Sequence, residues 1–317
     1  MNMLVIVLSS QLLYYLLIAQ TGVVGAFDSH IHDLYTLPIG GVIGSIVSAY
    51  WKHHGIKQEL FFMFVAQIIL SWFYPDYSLG LLLVLGFIVG YTTPLMLYVF
   101  REQSRKNLAL GLALSYAVGT ALYAYPFQQR GIIAIVLPSI SLIALYFSTL
   151  PIQSKSKTHS MNWTMIGVMM VWIFADSALF ETLSRSGKMD IWGHYTALII
   201  VSHLLGVYLA FRYGRTLMKG TWVILGLFTL SYGVFYAHQP IVLAVIYPIV
   251  ISFYNVLLFR ELTQMGDVRS IAIAMVGVGW GASSMANLVA LDHQLWISLV
   301  ILGAFALIYP FYFRRTV

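Results

Sequence analysis

The 317-residue sequence contains no cysteine, which excludes disulfides, thiolate metal ligands and cysteine nucleophiles. Charge is scarce too: Asp, Glu, Lys and Arg make up 9% of the chain, against roughly 25% in a soluble domain. With 60% hydrophobic residues and a mean hydropathy of +0.85, neither a water-soluble globule nor a disordered chain fits. There is no Gly-rich phosphate loop, no His-Glu-x-x-His and no nucleotide-binding domain, so nothing points to an enzyme or a resident cofactor. Polar stretches are nearly absent as well. Residues 151–162 (PIQSKSKTHSMN) form the one linker-like segment.

What the chain does have is long apolar runs. A helix needs about 20 apolar residues to cross a bilayer, with a range of roughly 17–25. Runs of about this size cover 4–27, 35–51, 60–74, 79–100, 107–125 and 131–150 before the linker. After it come 163–183, 192–211, 221–237, 241–259, 270–291 and 295–313. They are too long for core strands and lack the alternation of barrel strands. The first run has no basic n-region and no small-residue cleavage site, so it reads as a retained helix rather than a signal peptide. The predicted fold class is an all-α polytopic membrane protein with twelve transmembrane helices in two pseudo-symmetric six-helix bundles. The bundles are 1–150 and 163–317, joined by a cytoplasmic linker at 151–162.

Charge placement supports that count. With the N-terminus inside and alternating sides, fourteen of the seventeen Lys and Arg fall inside, and only Arg130, Arg185 and Lys188 fall outside. Both termini are therefore expected in the cytoplasm, with the chain integral to the inner or plasma membrane. The net charge of +6 reflects this topology and not nucleic-acid binding.

The two halves also echo each other. Phe100-Arg101-Glu102 ends the fourth run and Phe259-Arg260-Glu261 ends the tenth, and each is followed by a basic residue and a new helix start. Duplicated halves are a common plan of secondary transporters. Small residues recur at four-residue spacing in the second run (Gly40, Gly44, Ser48) and the fifth (Gly111, Ser115, Gly119). They do so again in the eighth (Ser202, Gly206, Ala210) and from Gly277 to Gly281 in the eleventh, where Ala274 lies three residues before Gly277. Such stripes let helices approach closely, and their recurrence in every third run predicts one shared interface. The same spacing at Gly86 and Gly90 reads as generic packing.

This pattern resembles the major facilitator superfamily. Phe211-Arg212-Tyr213-Gly214-Arg215 is similar to that family's inner-loop motif, with Phe211 where the family has an acid. Lys52-His53-His54-Gly55-Ile56-Lys57 is the equivalent in the first half and also lacks the acid. The Gly-Pro motif of the antiporters is absent, because Tyr116 follows Ser115. The resemblance implies alternating access, with the second, fifth, eighth and eleventh helices between halves. It implies an inner gate at Arg101, Glu102, Arg212, Gly214, Arg215, Arg260 and Glu261. It also implies a central cavity faced by the first, fourth, seventh and tenth helices.

Asp176 is the sharpest single signal. A carboxylate near the bilayer centre costs roughly 2.5–3.5 kcal/mol, so it is expected to face protein or water. His203 lies at comparable depth in the eighth run, and a carboxylate beside an imidazole is a candidate proton relay or substrate contact. The alternative is a structural hydrogen-bonded pair. Glu181 is a further candidate for that role, though a solvated helix end explains it better. Gln11, Tyr14, Tyr15, Tyr91, Thr92 and Thr93 ahead of Pro94, and Tyr247 and Asn255 around Pro248, are candidate cavity residues. Met165 and Met169, with Met170 adjacent and His203, resemble the methionine spacing of copper importers in this superfamily, although Val207 breaks the second half of that pattern. His30, His32 and Asp33 offer weak metal-ligand spacing, and a solvated loop is favoured. His53 and His54 read as interfacial.

The function expected is a secondary transporter of a small solute or ion, proton-coupled through Asp176, working in a lipid bilayer without nucleic acid. The alternatives are a copper or other transition-metal importer, and a non-transporting membrane assembly or regulatory factor on a transporter-like fold.

Overall fold

The computed structural model describes residues 2–26, 34–150, 161–185, 189–214 and 216–313, and these residues contain helices and no strand. Helix is what lipid demands, since each helix satisfies its own backbone polar groups where no water can. In chain order the longer helices are α1 (Met3–Gln20), α2 (Thr36–Tyr50), α3 (Ile56–Ser71), α4 (Leu79–Phe100), α5 (Arg105–Tyr123) and α6 (Gly131–Phe147). Then follow α7 (Trp163–Arg185), α8 (Thr196–Tyr213), α9 (Leu217–Tyr236), α10 (Pro240–Thr263), α11 (Val268–Leu291) and α12 (Trp296–Phe313). Seven of these are long and apolar enough to cross a membrane: α1, α4, α7, α8, α9, α10 and α11. Helix starts fall where a short polar side chain can cap a free backbone N–H. Asn2, Ser78, Ser104, Thr216 and Asp267 accept from Leu4, Leu81, Asn107, Lys219 and Ser270 in turn.

The chain divides into two compact units, Met1–Met161 with Phe259–Val276, and Asn162–Leu258 with Gly277–Val317. The last turn of α10 and the first of α11 thus group with the N-terminal helices. In that first unit, Val268–Met275 packs on α2 and α4. Arg269 lies over the Tyr50 ring, 4.7 Å from its centroid. Arg101 donates to the carbonyl of Gly266, a residue whose φ of 63° suits glycine.

The tightest packing in the first unit joins α2 to α4. A methyl group on Gly40 or Gly44 would strike the carbonyl oxygens of Leu83 or Phe87, and one on Gly86 or Gly90 those of Leu37 or Gly41. The glycines of the stripes find close partners within their own unit. The stripe of α2 meets Gly86 and Gly90 of α4. That of α5 meets Leu8, Leu13 and Leu16 of α1. In the second unit Gly206 of α8 meets Ile249 and Ser252 of α10, and Gly277 of α11 meets Met170 of α7. Small residues were selected pair by pair, wherever two backbones approach. The pairs α2–α4 and α1–α5 recur as α8–α10 and α7–α11.

Arg130, which the charge count puts on the outer side, is buried. The last part of α1, Tyr15–Gln20, is wound as a π-helix, in which Thr21 N–H reaches back to Leu16. The Arg130 guanidinium donates to Leu17 O at 3.0 Å, Thr21 Oγ1 at 2.8 Å, Tyr123 O at 3.0 Å and Tyr125 O at 2.8 Å. One side chain thereby caps the ends of α1 and α5. Burial pulls its guanidinium below its ordinary value, yet arginine keeps its charge.

Candidate functional site

Asp176 lies on α7 of the second unit, half-buried, and its carboxyl is held from α10. The Tyr247 hydroxyl sits 2.8 Å from Oδ1, and the Tyr254 hydroxyl donates to Oδ2. These tyrosines are seven residues apart, two turns along one face of the helix. Both side chains have no exposed surface. Tyr232 of α9 donates to the carbonyl of Ala175 at 2.7 Å and braces the turn before the acid.

Tyr247 stands in an unusual position. Its oxygen is 2.8 Å from Asp176 Oδ1 and 2.9 Å from the Asp176 main-chain oxygen, but it has a single hydrogen to give. With the carboxyl ionised, that hydrogen goes to Oδ1. With the carboxyl protonated, Asp176 O–H can donate to the Tyr247 oxygen, and Tyr247 can turn its hydrogen to the main-chain carbonyl. Both protonation states are satisfied by one arrangement of heavy atoms.

His203 is buried on α8, with Nδ1 2.6 Å from Ser252 Oγ of α10. The close approach at Gly206 brings the two helices together there. Among the described residues, the Asp176 carboxyl takes its hydrogen bonds from Tyr247 and Tyr254 and not from His203. The imidazole and the acid are linked through Trp192, which stacks on His203 at 6.5 Å and meets Tyr247 edge-on at 6.4 Å. The aromatic layer continues on the other side. Tyr254 packs on Phe228 at 5.6 Å, Phe228 stacks on Trp172 at 6.0 Å, and Phe305 meets Trp172 at 5.1 Å.

Glu181 is 2% exposed, which corrects its expected place at a solvated helix end. In the short helix Ile191–His194, Ile191 and Trp192 are buried, and Trp192 packs on Phe180 beside Glu181. Asn255 is half-buried next to Tyr254. Of the methionines, Met169 has no exposed surface and Met165 is half-buried. No group of three His, Asp or Glu that could hold a metal occurs among the described residues. His30, His32 and Asp33 lie outside the described residues, as does Arg215.

In the first unit Gln11 and Tyr14, two of the expected cavity residues, are buried within a network between helices. Gln11 Nε2 donates to Gln67 Oε1 at 3.0 Å and Ser141 Oγ at 2.9 Å. The Tyr14 and Ser71 hydroxyls are 3.1 Å apart. These contacts join α1 to α3 and α6, and they are packing contacts rather than a solvent-facing wall. Thr92 and Thr93 turn back onto their own helix, bonding Ile88 and Val89 carbonyls.

Tyr91 instead finds a partner the sequence did not announce. Its hydroxyl donates to Glu59 Oε2 at 2.7 Å, and His53 Nδ1 lies 2.6 Å from the same oxygen. His53 Nε2 lies 2.9 Å from the Ser48 carbonyl at the end of α2. Each ring nitrogen thus faces an oxygen. Glu59 sits in the first turn of α3, ahead of the apolar run that begins at Leu60. Burial raises its carboxyl, but the His53 and Tyr91 hydrogen bonds and the His53 charge outweigh it and hold the group below the ordinary glutamate range.

Of the expected inner-gate residues, Arg101 pairs with adjacent Glu102 at 3.0 Å as well as reaching Gly266. Arg212 lies over the Tyr213 ring at 5.6 Å. A side chain on Gly214 would strike the Ala210 carbonyl and Leu257. Arg260 and Glu261 are half-buried on the last turn of α10.

No protein-family model matches the sequence, and no curated protein sequence matches it. Solved structures match along nearly the whole chain. The proton:xylose symporter XylE is 14% identical with a TM-score of 0.67, covering 99% of this chain and 94% of its own. The human organic anion transporter MFSD10 is 11% identical with a TM-score of 0.69, covering 97% of each chain. FucP, a major facilitator superfamily transporter in an outward conformation, is 11% identical with a TM-score of 0.64, covering 96% of each chain.

The chain has the fold of the major facilitator superfamily. The Asp176 cluster therefore lies in the second half of a superfamily fold whose matched structures are transporters and not enzymes. Tyr254, Trp172 and Trp192 were missed from sequence. The Tyr247–Tyr254 spacing was the signal that could have found the first.

Proposed function

We propose that this protein is a secondary active transporter that moves a small solute by alternating access, coupled to protonation of Asp176. It is read as twelve membrane spans in two pseudo-symmetric bundles, 1–150 and 163–317, with both termini in the cytoplasm and the chain in the inner or plasma membrane. The positive charge of the loops and the fold of the matched structures support that topology. The observation that carries the coupling role is the Tyr247 hydroxyl placed within reach of two Asp176 oxygens. A carboxyl satisfied both with and without its proton, in one heavy-atom geometry, can load and release a proton without breaking its surroundings. His203 and Glu181 are further buried polar residues of the second bundle.

Protonation biases the equilibrium because the two states differ in charge. Crossing the membrane with Asp176 neutral avoids carrying a bare charge through the low-dielectric region, whereas the ionised form favours the state open to water. Arg101, Gly266, Arg269 and Tyr50 are read as an inner clasp that must open in each cycle. The test is proton flux into proteoliposomes, followed with an internal pH dye while a panel of sugars, amines, anions and metal ions is offered. Wild-type protein is expected to acidify or alkalinise the lumen with at least one solute, and Asp176→Asn to remove the proton signal while remaining folded. Retained proton movement in that variant would sink the assignment. Absence of any flux in wild type, with a stable protein partner on purification, would favour an assembly or regulatory role.

A further inference from the structure

Asp176 faces α10, but the adjoining face of α7 meets a different helix. Ser177 Oγ lies 3.3 Å from Ser283 Oγ of α11. One turn further along each helix stand Glu181 and Asn287. The two helices run in the same direction and in step. A methyl group on Gly277 would meet Met170 at 3.4 Å, and Ser283, six residues after Gly277, meets Ser177, seven residues after Met170. Continuing that register sets Asn287 level with Glu181, and Ser283–Leu291 packs on α7 over this length. All these residues belong to the second unit.

What the register brings together is oxygen. Ser177 and Glu181 are buried. Asn287 Oδ1 is shut off from solvent and has no hydrogen-bond partner. A buried acceptor left without a partner costs roughly as much as a lost hydrogen bond. The backbone adds a further acceptor. Val276–Ala282 is wound as a π-helix and returns to α-helix at Ser283. Where a π-turn gives way to an α-turn, the bonds shift from i+5 to i+4 spacing and one carbonyl drops out of the ladder, a feature frequent at functional sites.

Oxygen facing oxygen needs positive charge between. A divalent ion asks for several carboxylates, and the described residues hold no group of three His, Asp or Glu. One carboxylate with neutral hydroxyl, amide and carbonyl oxygens matches the single charge of an alkali-metal ion, and hard cations prefer oxygen ligands. A compact set favours sodium over the larger potassium ion. We infer that the second unit binds a sodium ion between α7 and α11, held by Glu181, Asn287, Ser177 and Ser283. The ion pins the outer part of α11 to α7. Its site lies on another face of α7 from Asp176, so it stands independently of Asp176 as the coupling carboxyl.

Thermal unfolding of the purified full-length protein in detergent tests this, in sodium chloride, potassium chloride and N-methyl-D-glucamine chloride at equal ionic strength. Sodium is expected to raise Tm saturably, and the other two cations are not. Glu181→Gln, which keeps the shape and removes the charge, and Asn287→Leu, which removes the orphan oxygen, are each expected to abolish the sodium shift. Ser283→Ala is expected to raise the half-saturating sodium concentration about tenfold, as for one lost oxygen ligand. Asp176→Asn is expected to keep the shift. Equal Tm of wild type in the three salts overturns the proposal, even should the Glu181 and Asn287 variants fail to fold. A sodium shift that survives both Glu181→Gln and Asn287→Leu, or one that Asp176→Asn removes, places the ion elsewhere and overturns it too.

Discussion

Asp176 shows how partners on a neighbouring helix hold one acid in an apolar helix. Two tyrosines on one face of α10 hold both of its oxygens, and one of them can serve the carboxyl in either protonation state. Tyr254→Phe removes a donor that serves mainly the ionised form. A hydrogen bond to a charged group contributes about 1.5–3 kcal/mol, so this variant should melt at a lower temperature than wild type, with the larger loss at alkaline pH. Equal loss at both pH values would mean that the tyrosine serves packing alone. The His53–Glu59–Tyr91 cluster makes a prediction of the same sign. The Glu59 carboxyl is held below its ordinary range, so its contribution is present above that range and is lost as pH falls through the lowered value. Acid melts of wild type and Glu59→Gln should therefore converge at low pH and separate toward neutrality; parallel curves would contradict the ion pair. Asp176 could be singled out from sequence, because charge in an apolar run is costly. Its tyrosines, the orphan oxygen of Asn287 and the buried clamp of Arg130 could not, because they depend on helix facing and on a π-turn that no local spacing encodes.

Helix pairing explains where the small residues fall. Gly40 and Gly44 of α2 interlock with Gly86 and Gly90 of α4, so each backbone fills the space a side chain would take. Gly86→Val and Gly90→Val should each cost about 1–3 kcal/mol or more, the penalty of overpacking a filled interface. Gly226→Val, at a position with open space around it, should cost little. Thermal unfolding in detergent separates the two outcomes. The stripes themselves were legible, since four-residue spacing needs only the helical period. Their partners were not, because a stripe says that something comes close and not which helix does. The recurrence of α2–α4 as α8–α10, and of α1–α5 as α7–α11, gives the Phe-Arg-Glu repeat at 100–102 and 259–261 a structural counterpart.

For the molecule as a whole, composition and charge placement went furthest. Low charge and long apolar runs led to a helical membrane fold, and the matched transporter structures share that fold. The division of the chain was less legible. Residues 259–276 group with the N-terminal helices, through contacts such as Arg101 with Gly266 that no linear boundary reveals. The absence of cysteine makes the protein a ready background for site-specific labels. Two pairs of introduced cysteines, one pair across the cytoplasmic ends of the two halves and one across the outer ends, would report distances by spin labelling at acidic and alkaline pH. Alternating access coupled to Asp176 predicts that the two distances change in opposite directions with pH, and that Asp176→Asn holds both at their acidic values throughout. Distances that ignore pH in wild type, or that respond identically in the Asp176→Asn variant, would contradict it.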